Sequence, residues 1–378
     1  MTKKIIYTIS VIIILTISLF IRKSRLDVDV EGSIFNNFDN VEAVKQVSEN
    51  FYYFYDTKST FGKPSSILSI AEAEGYSGKI KVGVNYNKNG QILSVKVLSQ
   101  TETPGFWRRV TKANFIEQYQ GKNIQEKFLL NENIDAVSRA TISCVGINSA
   151  IQKANIQTCQ LYFKDKFSTE KTWVKIQSKD LLIFFLYFFA ILFAYSRNKW
   201  LKKLRLVYHL VSVVLLGFVF KGLLSITHFN NLILLNIPLN QYYWFLVVGL
   251  FLLSIFILGK NLYFAYICPM GIIQDYLGKL FPWQLKFKNK KYYQYPVVLL
   301  TLGILCYAII ANQPGFFGHE IFGNVFQFDF SSYVFIIAII SLILSLFIKR
   351  FWCRFLCPVG VIGRFLMMVR KIFVTKRK

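Results

Sequence analysis

The sequence predicts an α+β extracytoplasmic domain joined to an all-α polytopic membrane domain, with six transmembrane helices in total. Three observations carry this expectation. Hydrophobic residues make up 54% of the 378, and mean hydropathy is +0.40. A water-soluble chain of this length rarely reads so apolar, because too little of its surface would remain polar. The apolar residues gather in six runs. Of the 20 acidic residues, all but Asp275, Glu320 and Asp329 lie between Arg22 and Asp180, where the pattern turns globular. The chain therefore divides into an N-terminal transmembrane anchor over 1–25, a globular domain over 26–172 and a five-helix membrane domain over 173–378.

The candidate spans are Ile5–Ile21, Leu181–Tyr195, Leu206–Phe229, Tyr242–Leu258, Tyr295–Asn312 and Tyr333–Ile348. A helix needs about 17–25 mainly apolar residues to cross a bilayer. The first run follows Lys3-Lys4 like a signal peptide, but it is longer than the usual apolar region and no small-x-small site follows it. An uncleaved anchor is the better reading. Arg197, Lys199, Lys202, Lys203 and Arg205 separate runs two and three, and six lysines from Lys260 to Lys291 separate runs four and five. The stretch from Lys349 to Lys378 is strongly basic, whereas the loops Asn230–Gln241 and Gln313–Ser332 hold no Lys or Arg. The positive-inside bias puts the basic loops in the cytoplasm and the globular domain outside, against the dissent of Arg22, Lys23 and Arg25 beside the first run. The net charge of +25 is thus a topology signal. With no aromatic-interleaved basic strand, nucleic acid is excluded as a partner.

In the globular domain, Val41, Val44, Val47 and Phe51 recur at helical spacing. Ile80, Val82, Val84 and Tyr86 alternate as a half-buried strand, and Leu93, Val95 and Val97 do so again. Asn89-Gly90 between them signals a hairpin. Three passages bear on chemistry: Gly75-Tyr76-Ser77-Gly78, then Glu102-Thr103-Pro104-Gly105-Phe106-Trp107, then Asp135 through Ser143, which opens a helix running through Ala150. The third combines hydroxyl side chains, a cation at Arg139 and the free N–H groups of a helix start. That suits a phosphate. An ordinary Ser/Thr cap uses the same residue types, so both readings stand.

Together these passages resemble the FMN-binding domain of the NqrC and RnfG subunits of membrane redox pumps, also found in NosR, over roughly Tyr76–Phe163. In that family an Asp-x-x-Ser/Thr-Gly-Ala-Thr motif carries FMN through a phosphoester on its last Thr. The matching residues here are Asp135, Ser138, Ala140 and Thr141, with Arg139 where Gly is usual. The resemblance implies covalent FMN at Thr141, attached by an FAD-dependent flavin transferase. It also implies that Glu102, Thr103, Pro104 and Gly105 lie near the flavin ring. Cys144 and Cys159 are either a disulfide or small buried residues.

In the membrane domain, Phe264-Ala265-Tyr266-Ile267-Cys268-Pro269-Met270-Gly271 and Cys353-Arg354-Phe355-Leu356-Cys357-Pro358-Val359-Gly360 look like two copies of one string. On a helix, residues i and i+4 share a face, so Cys353 and Cys357 can grip one metal or form a thiol pair. Both strings resemble the Cys-x-x-x-Cys-Pro motifs of the NosR/NapH group, and the architecture with an outer FMN domain looks like NosR and the PceC proteins. That resemblance implies an iron–sulfur cluster, but Phe264 replaces one cysteine and leaves Cys268, Cys353 and Cys357, one short of the four ligands common for [4Fe–4S]. Lys221 is costly in hydrocarbon and reads as a quinone or proton site or as a snorkelling side chain. His228 and His319 are candidates for an outer quinone pocket; His209 and His228 stand too far apart on one helix to share a haem. No dinucleotide fingerprint or nucleophile constellation is present. The sequence thus points to a flavoprotein of the cytoplasmic membrane that passes electrons from menaquinol or a cytoplasmic donor to an extracytoplasmic reductase. The rival is a NosR-like redox-sensing regulatory or assembly protein.

Overall fold

Alternation at Ile80, Val82, Val84 and Tyr86 buries all four side chains completely and makes their strand the core of a sheet. The computed structural model describes residues 2–23, 38, 43–55, 64–164, 178–220, 223–237, 242–281, 283–285, 295–318, 325–326 and 333–375. Five strands, β1 (Ala43–Ser48), β2 (Phe51–Tyr55), β3 (Ser66–Glu74), β4 (Lys79–Tyr86) and β5 (Ile92–Gln100), pair antiparallel as a meander in sequence order. The Asn89-Gly90 hairpin forms as expected. The Asn87 side-chain oxygen accepts from the backbone N–H groups of Asn89 and Gln91, both at 2.9 Å, and Gly90 takes φ +80°. Helix α2 (Pro104–Lys112) follows β5, and α3 (Thr141–Thr158) lies across the sheet. The buried Ile147, Ala150, Ile151 and Ala154 of α3 share one core with Ile67, Val82, Val84 and Tyr86. Each large apolar side chain buried there contributes about 1.5–3 kcal/mol.

Two local expectations are corrected in this domain. The helical spacing of Val44, Val47 and Phe51 is incidental, because residues 43–55 form the β1–β2 hairpin around Asn50 at φ +63° (Val41 lies outside the described residues). The aromatic run Phe51–Tyr55 favours a pleated surface and overrides the spacing. In β5 a register shift opposite Asn85 and Tyr86 brings Ile92 into the core and turns Leu93 outward, while Val95 and Val97 still pack inward.

The helical part begins with α1 (Thr2–Lys23) and resumes with α4 (Ser178–Tyr195), α5 (Lys199–Ser212), α6 (Ile226–Ile233), α7 (Tyr242–Phe256), α8 (Pro269–Leu280), α9 (Tyr295–Ile310), α10 (Tyr333–Phe347), α11 (Phe351–Phe355) and α12 (Pro358–Thr375). Helix α1 lies along α9 and α12, and its Tyr7 ring meets Phe365 edge-on at 6.1 Å. Among the described residues only Lys4–Arg22 is both long and apolar enough to cross a bilayer by itself. Asp180–Tyr195, Tyr243–Phe256, Tyr295–Ile310 and Val334–Phe347 are apolar but shorter. Their outer faces are nevertheless greasy: Phe184, Phe185 and Phe188 on α4 and Ile336, Ile340 and Ile343 on α10 are all about half-exposed.

The run Leu206–Phe229, expected as one span, is two helices. Helix α5 widens into a π-type stretch, Val213–Val219, and ends. The next helix starts at Ser225, whose side chain accepts from Thr227 N while its own N–H donates to His228 Nδ1. A strong N-cap residue inside an apolar run supplies a new helix start, and this one is used. The single-helix spacing of His209 and His228 therefore does not apply. Lys221 and His319 lie outside the described residues.

Candidate functional site

The three passages singled out in the sheet domain meet at one buried carboxylate. Glu102 leaves the end of β5 and is 2% exposed. Its Oε1 accepts from Ser77 N at 3.0 Å, and its Oε2 accepts from Ser143 Oγ in the first turn of α3. Ser77 Oγ and Thr103 Oγ1 share a further bond at 3.0 Å. A side chain on Gly75 would collide with Glu102 Oε1, and one on Gly146 would strike the backbone of Glu74 and Gly75. Burial pushes the Glu102 carboxyl above its usual range, while hydrogen bonds from Ser143, Ser77 and the Tyr76 backbone pull the other way. Glu102 and Thr103 thus act inside the protein as fasteners, whereas Pro104 and Gly105 at the start of α2 stay partly open.

Fastened through Ser143, the start of α3 offers what a phosphate needs. Ala140 is its N-cap and supplies no capping side chain, so the free N–H groups of the first turn have no side-chain acceptor there. The ordinary-cap reading of this segment fails on that point. Thr141 is the first helical residue and is exposed, as are Asp135, Ser138 and Arg139. Arg139 has φ +66°, the left-handed region where glycine is at ease. The turn usual for Gly is therefore kept at a cost of about 1–2 kcal/mol. The Asp135 backbone is pinned both ways by the Gln118 side chain, at 2.7 and 3.1 Å. An accessible hydroxyl, an uncapped helix start and a neighbouring cation fit a phosphoester-linked FMN on Thr141. Cys144 and Cys159 are buried and form no disulfide. They stand 15 residues apart along a continuous helical path, about 22 Å, too far for a disulfide.

The sheet domain rests on the helical domain at this same place. A side chain on Gly315 would collide with Ser77 Oγ, and one on Gly318 would lie 2.6 Å from Thr227 Oγ1 and 2.9 Å from Thr103 Oγ1. Asn230 of α6 ties down the same loop by donating to Pro314 O at 2.9 Å. The sequence reading passed over this seam. Its available signal was the charge-free Gln313-Pro314-Gly315 turn. His228 contributes to the seam as a helix cap and sits beside Trp244, with ring centres 6.4 Å apart.

The two cysteine strings are structural repeats. Cys268 N bonds to Tyr263 O at 2.7 Å, and Cys357 N bonds to Trp352 O at 2.9 Å, the same five-residue closure in both. Gly271 sits against Phe264 O and Cys268 Sγ, and Gly360 sits against Cys353 O and Cys357 Sγ. Phe264 thus occupies the place of Cys353. That repeat corrects the expectation that Cys353 and Cys357 share a helix face: α11 stops at Phe355, and Cys357 precedes α12. Cys353 remains within electrostatic reach of both Cys268 and Cys357. Arg350, bidentate to Asp275, also donates to Phe264 O at 3.2 Å. The locus offers three thiols where a [4Fe–4S] cluster takes four, and among the described residues no three His, Cys, Asp or Glu side chains converge to hold a metal ion.

Comparison with known proteins agrees with the two-part architecture. Residues 75–155 match the FMN-binding domain family, and residues 240–288 and 332–377 match a 4Fe-4S binding domain family. The chain is 32% identical over 117 residues to the G subunit of an ion-translocating oxidoreductase complex of Buchnera aphidicola, covering 29% of this chain and 56% of that one. It is 27% identical over 89 residues to the G subunit of a proton-translocating ferredoxin:NAD(+) oxidoreductase complex of Clostridium ljungdahlii, covering 22% and 48%. The chain thus spans about half the length of these relatives. A crystal structure of Shewanella oneidensis NqrC aligns at 19% identity and TM-score 0.25, over 36% of this chain and 78% of that one. The chain carries an FMN-binding domain of the NqrC/RnfG type followed by a helical 4Fe-4S binding domain.

Proposed function

We propose that this protein is a membrane-bound electron-transfer flavoprotein whose FMN is esterified to Thr141 on an extracytoplasmic domain. The observation that carries the reading is the exposed Thr141 hydroxyl at an uncapped helix start, on the domain that matches the FMN-binding family. When bound, FMN supplies exchange of one or two electrons, and the protein supplies position and electronics. The chain's own part is specific. Ser138, Arg139 and the first N–H groups of α3 hold the phosphate, Glu102 locks α3 to the Ser77 turn, and the seam at Gly315 and Gly318 fixes the domain against the helices. In this reading five helical segments after residue 172 join α1 in a six-span bundle, with the basic loops and Cys268, Cys353 and Cys357 on the cytoplasmic side. Electrons enter from quinol or a cytoplasmic donor and leave to an extracytoplasmic reductase. The relatives from Buchnera and Clostridium are named as parts of oxidoreductase complexes, which supports work beside protein partners.

The test is flavin attachment. In cells with a flavin transferase, denatured protein fluoresces in a gel under ultraviolet light, and Thr141→Val abolishes the band while the protein still accumulates in the membrane. Flavin that persists on the Val variant refutes the assignment. Protease added to intact spheroplasts removes residues between the first two spans and spares those after Lys349; the opposite pattern reverses the topology.

A further inference from the structure

The helical domain holds a second polar feature, away from the flavin site. A cavity of about 530 Å³ opens among residues 203–209 of α5, the C-terminal half of α8 and the segment just after α10. Four cations line it: Lys203, Arg205, Lys279 and Lys349. The one acid in its wall, Asp275, is already engaged by Arg350. None of the four cations has a carboxylate partner among the described residues. So dense a positive lining without counter-charge repels itself, and an anion relieves it.

His209 orients the Tyr276 hydroxyl as a donor. Arg205 Nε donates to His209 Nε2 at 3.5 Å, which leaves the other ring nitrogen, Nδ1, to carry the proton. Nδ1 lies 3.1 Å from Tyr276 Oη and donates to it, so the phenol proton is free for another acceptor. Two of the cations are braced by aromatic rings. Arg205 lies 4.7 Å from the centre of the Tyr266 ring, and Lys279 lies 4.6 Å from that of Tyr276. The wall is therefore a preset group of four cations and one hydroxyl donor, Tyr276, with a single aliphatic member, Leu206. A quinone ring, which is largely apolar, finds little to bury against here.

We infer that this cavity binds the phosphate of an anionic phospholipid headgroup. Position selects that source of phosphate. Lys203 and Arg205 precede the apolar run that begins at Leu206, Lys279 lies in the last turn of α8 and Lys349 just after α10. The loop charges assign these positions to the cytoplasmic interface, where anionic headgroups concentrate and basic pockets between helices capture them. Beside it, the exposed Leu206 and Leu210 of α5 give the acyl chains an apolar wall. The inference rests on the membrane reading above, which spheroplast proteolysis tests separately.

The experiment uses the full-length protein in nanodiscs of phosphatidylcholine containing a minor fraction of phosphatidylglycerol, released for native mass spectrometry. Wild type retains bound phosphatidylglycerol, and the variant Lys203→Gln/Lys279→Gln/Lys349→Gln retains at least tenfold less. Flavin gel fluorescence and the melting midpoint in pure phosphatidylcholine discs verify that the variant is folded. Glycerol phosphate at millimolar concentration leaves the bound lipid in place. Equal retention by folded wild type and variant overturns the site. Displacement of the lipid by glycerol phosphate overturns the lipid source in favour of a soluble phosphate ester. Should the triple variant fold poorly, Lys349→Gln alone gives a smaller loss of the same sign, and no loss overturns the proposal.

Discussion

Removing the buried carboxylate at residue 102 is the sharpest test of how the flavin site is held. Among the donors that Glu102→Ala strands are Ser77 N–H and Ser143 Oγ–H, on residues that are 0% and 1% exposed. An unsatisfied buried donor costs about 1–3 kcal/mol. The released desolvation of the carboxylate offsets part of this, which leaves a net loss of about 3 kcal/mol and a fall of about 10 °C in melting temperature for a domain this size. The measurement is thermal unfolding of the purified protein followed by flavin fluorescence. A variant melting within 2 °C of wild type would show that Ser77 and Ser143 find other partners and that Glu102 is no fastener. The sign with pH follows from the raised carboxyl. The folded state holds its proton more tightly, so this stabilisation is complete below the unfolded pKa of about 4.3 and is lost as pH rises through the folded value. Glu102→Gln, which mimics the protonated form, flattens that loss. A wild type that gains stability over the Gln variant as pH rises would contradict the shift.

Arg139→Gly removes the left-handed strain at φ +66° and raises stability by about 1 kcal/mol with flavin loading retained; a lower melting temperature means that the guanidinium contributes more than the turn costs. Gly318→Val drives a side chain into Thr227 and Thr103, overpacking the seam by about 1–3 kcal/mol. The gel band persists while flavin reduction from a membrane donor slows, and an unchanged rate removes the seam from the electron path. Phe264→Cys completes the repeat with a fourth thiol. After anaerobic reconstitution it carries about four iron and four sulfide per chain, more than wild type, and wild type with an equal load refutes the argument from ligand number.

Much of this was legible in the sequence because it depends on local pattern. The alternation at Ile80–Tyr86, the Asn89-Gly90 turn and the paired Cys-Pro strings each reveal themselves within ten residues. The three passages that meet at Glu102 were also singled out, but the way they meet was not. Only long-range contact shows that Glu102 turns inward to Ser77 and Ser143, while Thr141 faces out. The misreadings have one cause. Spacing at Val44 and Val47 looks helical, and Leu206–Phe229 looks like one span, but hydrophobic period alone does not register a strand partner at Phe54 or a cap at Ser225. Glycines at a seam are equally silent until the surface opposite them is known.

The strictly sequential meander also sets an order of events during synthesis. Each strand pairs with the one made just before it, so the sheet closes on short loops and needs nothing beyond α3. The turn that forms the seam, at residues 313–318, emerges about 150 residues later, roughly 8–30 s at ordinary elongation rates. In the proposed topology the domain can fold and be translocated during that interval with Thr141 at its surface, because its core draws on no helix after α3. If Thr141 carries the flavin as proposed, its attachment can therefore precede docking of the domain on the bundle.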